Sequence, residues 1–359
     1  MAMELGYLLS FWFNSLSWRG FKMVNLVKIH NQRMHRVLAK RKKYFTATCV
    51  VGCFFFGLKS AVANENDAVS SLKRADGSVI DYYLEVASDN LSSDTLLVSF
   101  QGSDCNSVKH NNLIRELSHA AWPAADLLLI EKPGITSDLP RDTNAERPDC
   151  PAYYLENDRP EQRVQDANTV VSDMVSDGSY KNVIALGGSE GAVVAALYAA
   201  EYDTADAVIM INGGGRWFID DVNHNIKLTE PESAVASAIE GFNGFAEHIL
   251  SSNERLDIDV SNHGYAWWRS MLSIDQESVL SRVEIPALIV QGGSDESVSP
   301  EAVAELVENL HDLGKFNIEL MAYPEMDHGL SDQDGRPMTQ DVAESIRGWL
   351  INTSDRWRD

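Results

Sequence analysis

The sequence predicts an α/β fold: a mostly parallel, twisted sheet with helices on both faces, plus a helical lid insertion. Apolar runs of strand length alternate with helical runs through most of the chain, as in successive βαβ units. Several of these runs are continuously apolar, which is expected of strands that are buried on both faces. The alternation stops for about 65 residues between Gly215 and Val283, where helical and aromatic sequence predicts an insertion.

The first segment of the chain has the three zones of an export leader. A basic "KRKK" at residues 40–43 precedes an apolar run, and Ala61 and Ala63 are the small residues of a cleavage site that we place after Ala63. The apolar run is shorter than the roughly 20 residues of a membrane span. A retained anchor, or a lipoprotein box at residues 50–53, is the alternative. We expect residues 1–63 to be removed, the protein to be exported to the periplasm or beyond, and no stable membrane span to remain.

Acidic residues dominate the rest of the chain. The net charge is −23 overall, although residues 1–63 hold ten Lys and Arg against one acid, Glu4. An acidic surface repels nucleic acid and anionic membranes, so we expect neither as a partner. The length that remains suffices for one large domain with a real core. We predict that residues 64–215 and 281–359 form this core domain and that residues 216–280 form the lid.

The elements of the core can be justified in chain order. A hairpin with its turn at 75–77 comes first, because alternating segments flank an Asp-Gly pair. Ser299 and Pro300 begin a later helix, since serine is a favoured N-cap residue and proline a favoured first helical residue. Apolar runs predict strands within 95–102, 126–134, 183–186, 206–215, 286–298 and 317–329. Helical patterns cover 163–177, the segment after residue 189, 299–314 and 339–354.

One strand-to-helix turn carries a chemical signature. The sequence "GGSEG" places Ser189 between a buried strand and an alanine-rich helix. G-x-S-x-G in this context is typical of a nucleophile elbow, in which the glycines permit a tight turn and the serine Oγ is exposed. We therefore predict that Ser189 is a nucleophile.

A serine nucleophile needs a base, and the base needs an acid that orients it. After a nucleophile elbow the chain order is serine, acid, histidine. Asp295 follows one strand and His328 follows the last strand, so we predict Asp295 as the acid and His328 as the base. Glu296 is an alternative acid, and Asp327 is interpreted as a solvated neighbour of His328.

Two backbone N–H groups must stabilise the oxyanion of an acyl-transfer intermediate. We predict Glu190 as one donor and Ser103 as the other, with Gly102 as the second choice for the latter. Cys105 lies in the same loop as Ser103, and Cys150 lies in the connection after the next strand. We predict a disulfide between them because both loops open at one end of the sheet; two buried free thiols are the alternative.

These motifs resemble the α/β-hydrolase superfamily over nearly all of the predicted mature chain. The residues that carry the resemblance are "FQGS", "GGSEG", "GGSDESV" and "MDHG". The first two motifs look closest to the dienelactone hydrolase, prolyl-oligopeptidase and acyl-thioesterase branches. Gln101 departs from the pattern, because many members have histidine before the oxyanion-loop glycine. No segment resembles a propeller domain.

The sequence thus predicts a secreted serine hydrolase that cleaves a carboxylic ester, or else a thioester or small amide, through an acyl-enzyme. We expect no cofactor and no metal, because no His/Cys cluster has ligand spacing. A non-catalytic binding protein, an acyltransferase and a peptidase are the alternatives. His110 and His263 are further candidates for lining the pocket. The aromatic residues predicted to bind the acyl group, or else only to pack, are Trp217, Phe218, Tyr265, Trp267 and Trp268.

Overall fold

A computed structural model describes residues 68–87, 93–144 and 147–357 of the chain. The predicted leader and its cleavage site lie outside the described residues. Among the described residues, no helix combines the length and the apolar character needed to cross a membrane.

The sheet is mostly parallel, as predicted. Its eight strands lie in the order β1-β2-β4-β3-β5-β6-β7-β8, and the pairs that β2 forms with β1 and β4 are antiparallel. The other pairs are parallel, so their carboxyl ends meet at one edge. The strands are β1 (Ser70–Lys73), β2 (Val79–Glu85), β3 (Thr95–Phe100), β4 (Asp126–Ile130), β5 (Asn182–Gly188), β6 (Ala207–Ile211), β7 (Ala287–Gly292) and β8 (Ile318–Tyr323).

Helices cover both faces of this sheet. They are α1 (Asn112–Ala121), α2 (Ala152–Asn157), α3 (Pro160–Val175), α4 (Glu190–Glu201), α5 (Phe218–Thr229), α6 (Glu232–Ser251), α7 (Tyr265–Ser273), α8 (Gln276–Leu280), α9 (Pro300–Asp312) and α10 (Thr339–Thr353). Buried side chains of α1 and α10 form the core on one face, and those of α3 to α9 form the larger core on the other. The elements that carry the site therefore have a packed core on each side.

Several local predictions are confirmed in detail. The Ser299 hydroxyl accepts a hydrogen bond from the N–H of Ala302, and Pro300 is the first residue of α9. The predicted hairpin is formed by β1 and β2, with Gly77 at a φ of 87° in its turn. The helix α3 begins earlier than predicted, because Pro160 supplies its first residue.

The segment at 216–280 contains four helices, α5 to α8, between β6 and β7. Their buried residues belong to the same core as those of α3 and α4. The end of α5 reaches the cavity in front of Ser189 through Asn225, Leu228 and Thr229. Phe218, Asp221, Met271 and Gln276 line a second, small cavity together with Ser189. That this segment acts as a lid stays a prediction.

The structure joins Cys105 and Cys150 in a disulfide, with Cα atoms 6.0 Å apart and a sequence separation of 45. The bond ties the loop after β3 to the connection that follows β4. A closed loop of this size restricts the unfolded chain, so the bond is expected to contribute about 2–4 kcal/mol to the free energy of unfolding. Urea denaturation of Cys105→Ser/Cys150→Ser beside the wild type measures this difference; equal midpoints and equal slopes would contradict it.

Candidate active site

Ser189 sits at a sharp turn between β5 and α4. Its φ is 56° and its ψ is −128°, a conformation that is uncommon for a residue with a side chain. Two of the neighbouring glycines are required because a side chain would clash with nearby backbone atoms, not because of their φ angles. A Cβ on Gly187 would lie 2.0 Å from the carbonyl oxygen of Gly191, and one on Gly191 would lie 2.1 Å from that of Phe100. Close packing of β3, β5 and α4 thus explains the first and last glycines of "GGSEG".

His328 connects Ser189 with Asp295. Its Nε2 lies 3.1 Å from Ser189 Oγ, and its Nδ1 lies 2.8 Å from Asp295 Oδ2. The second carboxylate oxygen, Oδ1, accepts the backbone N–H groups of Ser297 and Val298. The Asp295 side chain is fully buried, whereas that of His328 is 19 % exposed. The histidine can therefore face a substrate while the carboxylate holds it in place.

Asn212 positions the loops that hold the acid and the base, and sequence analysis missed it. It follows β6 directly and adopts a φ of 49°. Its Nδ2 donates to the carbonyl oxygens of Asp327 and His328, at 3.3 and 3.2 Å, and its Oδ1 accepts the N–H of Gly292. Its place immediately after a buried strand was the available signal.

The loop after β3 lies directly against the nucleophile. A Cβ on Gly102 would be 3.4 Å from Ser189 Cβ, and Gly102 and Ser103 both line the cavity in front of Ser189. Lys132, a buried residue after β4, donates from Nζ to the carbonyl oxygens of Gly102 and Asp104, at 2.6 and 2.5 Å. The Lys132 ammonium and the disulfide at Cys105 therefore hold this loop in place.

A buried ion pair joins the same loop to the nucleophile elbow. Arg163 of α3 donates from one guanidinium nitrogen to Glu190 Oε1, at 2.9 Å, and from another to the carbonyl oxygen of Gln101. The side chains of Arg163 and Glu190 are 6 % and 0 % exposed. Glu190 is the first residue of α4, so its N–H has no partner within the helix. The ion pair thus links the loop after β3 to the start of α4, the two segments that hold the predicted oxyanion donors Ser103 and Glu190. Their role as donors stays a prediction.

A cavity of about 870 Å³ opens in front of Ser189 and His328. Part of its wall is apolar, and these side chains come mainly from strand ends, α1 and α5. They are Phe100, Leu113, Ile114, Leu117, Leu186, Ile211, Leu228 and Leu330. The acidic residues of the wall are Asp104, Glu296, Glu325, Asp327 and Asp332. Glu296, the alternative acid, lies in this wall, while the carboxylate that meets His328 is that of Asp295.

The structure does not bring the five predicted substrate-binding aromatic residues to this cavity. Four of them, Phe218, Tyr265, Trp267 and Trp268, are buried in the core on the α3–α4 face. Phe218 packs edge-on against Trp267, with ring centroids 5.7 Å apart. Trp217 lies outside the cavity wall, and the guanidinium carbon of Arg216 lies 5.4 Å from the centroid of the Trp217 ring. The large apolar area of these rings is used for packing within the insertion, which favours the packing alternative over the prediction that they bind the acyl group. Phe218 also lines a small cavity together with Ser189.

The two further histidine candidates also lie away from the described cavity wall. His110 Nε2 lies 2.9 Å from the carbonyl oxygen of Ser137. His263 stacks on Trp267, with centroids 3.7 Å apart, and its Nδ1 lies 3.2 Å from Tyr154 Oη. Burial lowers the pKa of His263 well below its usual value, and the charges of Lys132 and Arg163 lower it further. It is therefore a neutral packing residue.

The environment of His328 shifts its pKa upward. Burial alone would lower the pKa of the imidazole, but the charge and hydrogen bond of Asp295 outweigh that effect. The charges of Asp327 and Asp221 act in the same direction, so the pKa of His328 lies above its usual value of 6.5. For the acid Asp221, burial has the opposite effect from that on the imidazole, and it raises the pKa to about 7.

This shift predicts the pH dependence of any reaction that uses His328 as a base. A protonated imidazole cannot accept the Ser189 proton, so kcat/KM should fall as the pH drops through the raised pKa, with a midpoint above pH 6.5. Asp327→Asn removes one charge that raises this pKa and should move the midpoint to lower pH. A profile of kcat/KM for an uncharged ester between pH 5 and 9 measures both; a flat profile in the wild type would contradict the role of His328.

Comparison with known proteins gives related folds. Residues 175–332 match the family described as BAAT / Acyl-CoA thioester hydrolase C terminal, a range that holds Ser189, Asp295 and His328. No curated protein sequence matches the chain significantly. Est1E from Butyrivibrio proteoclasticus is similar in structure, with a TM-score of 0.53, 15 % identity, and coverage of 80 % of this chain and 99 % of that one.

Two further solved structures are similar. The Pyrococcus furiosus esterase Pf2001 gives a TM-score of 0.54 at 13 % identity and covers 81 % of this chain and 91 % of its own. A Mycobacterium tuberculosis puromycin-hydrolyzing peptidase gives 0.53 at 15 % identity, and the match spans 80 % of this chain but 39 % of that one. At such identities the likeness shows the fold alone.

Proposed function

Because the chain has the α/β-hydrolase fold that its motifs predicted, we propose that it is a serine hydrolase acting on carboxylic esters and thioesters through an acyl-enzyme. The observation that carries the proposal is the single imidazole of His328, which lies within hydrogen-bond distance of both Ser189 Oγ and the buried Asp295 carboxylate. Similar structures include the Pyrococcus furiosus esterase Pf2001 and a puromycin-hydrolyzing peptidase, and both support acyl transfer as the chemistry.

The proposed reaction has two halves. Ser189 Oγ attacks the carbonyl carbon while its proton passes to His328 Nε2, and the backbone N–H groups of Glu190 and Ser103 stabilise the oxyanion. When the intermediate collapses, the bond to the leaving atom breaks and His328 Nε2 gives that proton to the leaving atom. Water then attacks the acyl-enzyme by the same route and releases the acid. Asp295 holds the imidazole tautomer and stabilises the imidazolium.

We also propose that the enzyme acts outside the cytoplasm. The basic and apolar leader supports export, and the disulfide between Cys105 and Cys150 suits an oxidising compartment. Thioesters belong in the substrate panel because the matched family is named for acyl-CoA thioester hydrolysis. Amides belong there because a similar structure is a peptidase.

The direct test is labelling with a fluorophosphonate, which reacts with activated serine hydroxyls. We expect one adduct, located on Ser189 by peptide mass, and none in Ser189→Ala. Ser103→Ala is the matched control, since Ser103 lines the same cavity but its hydroxyl meets no hydrogen-bond partner among the described residues. Unlabelled wild type should then be assayed with ester, thioester and amide substrates, and prior labelling should abolish any turnover. A folded wild type that takes no label would contradict the proposal and favour the non-catalytic binding alternative.

A further inference from the structure

The cavity in front of Ser189 has the features of a ligand site independently of its charge. His328 and Ser189 both open into it. Ser103 also lines it, is 2 % exposed, and has a buried hydroxyl that meets no hydrogen-bond partner among the described residues. A buried hydroxyl without a partner is costly, so a bound molecule is expected to supply one.

The geometry of the reaction identifies which side of the cavity receives the leaving group. In the proposed function, on which this inference rests, His328 Nε2 must reach the leaving atom in order to protonate it. The leaving group therefore lies beside the loop after β8 that carries His328. The loop after β7 meets this loop closely, because a Cβ on Gly292 would lie 2.3 Å from the carbonyl oxygen of Met326. These two loops form the leaving-group side of the cavity.

That side carries carboxylates whose charge is not balanced. Glu325 and Asp327 lie on the loop after β8 and Glu296 on the loop after β7, all three in the cavity wall. None of the three forms an ion pair with a described residue, whereas Asp332 pairs with Arg336 and Asp104 lies 3.7 Å from Lys132. Within the described part of the chain, no Lys or Arg lines the cavity. The leaving group thus meets a negative field beside a neutral or cationic imidazole.

Apolar side chains form another part of the cavity wall. Leu113, Ile114 and Leu117 of α1 line the cavity, and Leu228 of α5 and Leu330 after β8 add to the apolar surface. An acyl chain fits such a wall because its transfer from water is favourable. The cavity therefore combines an apolar wall, which suits an acyl chain, with carboxylates on the two loops beside the leaving atom.

We propose that the enzyme selects esters and thioesters with a cationic leaving group and discriminates against polyanionic leaving groups such as coenzyme A. Carboxylates around the leaving atom attract a positive charge during encounter and in the bound state, and they repel phosphates. Esters of quaternary amino alcohols or amino thiols are the substrate class that this arrangement fits.

The test compares thiobutyrate esters that differ only in the leaving group. Butyrylthiocholine is compared with the uncharged S-(3,3-dimethylbutyl) thiobutyrate, in which carbon replaces the ammonium nitrogen. Butyryl-coenzyme A is compared with S-butyryl-N-acetylcysteamine, which keeps the thioester end without phosphates. At low salt we expect kcat/KM to be about five- to tenfold higher for the cationic member of the first pair. We expect butyryl-coenzyme A to be the poorer substrate of the second pair by at least as much.

Two variants separate the local carboxylates from the overall charge of the protein. Glu296→Gln/Glu325→Gln changes two exposed side chains of the leaving-group side and should bring the cationic-to-neutral ratio close to one. Glu305→Gln/Glu308→Gln makes the same change on exposed positions of α9 outside the cavity and should leave the ratio as in the wild type. Raising the salt to about 0.5 M should also shrink the ratio, because screening shortens the reach of exposed charges.

Specific outcomes overturn the proposal. A wild-type ratio of one or less in the first pair would do so, as would coenzyme A thioester hydrolysis as fast as that of its truncated analogue. Equal ratios in the two double variants would assign the effect to net charge instead. If no thioester is turned over, the rates at which Ser189 is phosphonylated by reagents with thiocholine and 3,3-dimethylbutanethiol leaving groups give the same ratio. Absence of any Ser189 labelling rejects the proposed function itself, which is a distinct result.

Discussion

Replacing His328 by alanine is expected to lower kcat for an ester by on the order of 10⁶-fold, the size seen when the base of a serine hydrolase is removed. The physical reason is the shared imidazole, since Ser189 Oγ has His328 Nε2 at 3.1 Å as its proton acceptor. Without it the serine hydroxyl stays protonated and the leaving group departs without a proton. Steady-state hydrolysis of a p-nitrophenyl ester, with a matched blank for spontaneous hydrolysis, measures the loss.

A double variant of Ser189 and His328 shows whether the two residues act together in catalysis or contribute independently to kcat. Ser189→Ala/His328→Ala should be no slower than either single variant, because each removal already disables the same proton transfer. Asp295→Asn keeps the shape but loses the carboxylate that accepts from Nδ1, and it should cost about 10⁴-fold. His248→Ala is the control, an exposed histidine on α6 that should leave kcat unchanged. Losses that multiply in the double variant would show that the residues do not act together.

Replacing Arg163 by methionine is expected to lower the free energy of unfolding by about 3–5 kcal/mol. The Glu190 carboxylate is fully buried, its Oε2 has no hydrogen-bond partner among the described residues, and its Oε1 is held by Arg163 at 2.9 Å. Removal of the guanidinium leaves that charge unpaired in the interior. It also frees the carbonyl oxygen of Gln101, so the predicted oxyanion loop loses a contact with the nucleophile elbow.

A second substitution separates pairing from packing. Arg163→Met/Glu190→Gln removes both charges and should recover much of the lost stability, because the cost of a broken buried pair arises mainly from the charge that stays behind. Arg356→Met is the matched control. It breaks a half-exposed pair with Glu319 at 3.1 Å and should cost less than about 1 kcal/mol. Urea denaturation measures all three; a double variant less stable than Arg163→Met would contradict this account.

Residues whose roles follow from the order of nearby strands, turns and helices along the chain could be predicted from the sequence. The turn around Ser189 is readable because a buried strand, small residues and a helix follow one another. Asp295 and His328 can be predicted from their order along the chain and from the strands before them, and the structure places His328 between Ser189 and Asp295. The cap at Ser299 rests on the same local logic.

Residues whose roles depend on long-range packing could not be predicted. Arg163 and Lys132 carry no local sign of being buried under the oxyanion loop, since a charged residue on a helix or after a strand is ordinarily solvated. The insertion aromatics misled the prediction for the converse reason. Ring-rich sequence is equally suited to a binding wall and to a core, and Trp267 and Trp268 pack in the core.

The spread of the candidate site over β5, β7 and β8 determines when the proposed activity could first arise during synthesis. Ser189 and His328 are 139 residues apart, an interval of on the order of ten seconds at ordinary rates of translation. Until β8 has emerged and paired with β7, a nascent chain holds a nucleophile without its base. Only then does α10 follow and pack against α1, one of the first helices to be made. The proposed catalysis therefore cannot begin before the loop that follows β8 has folded.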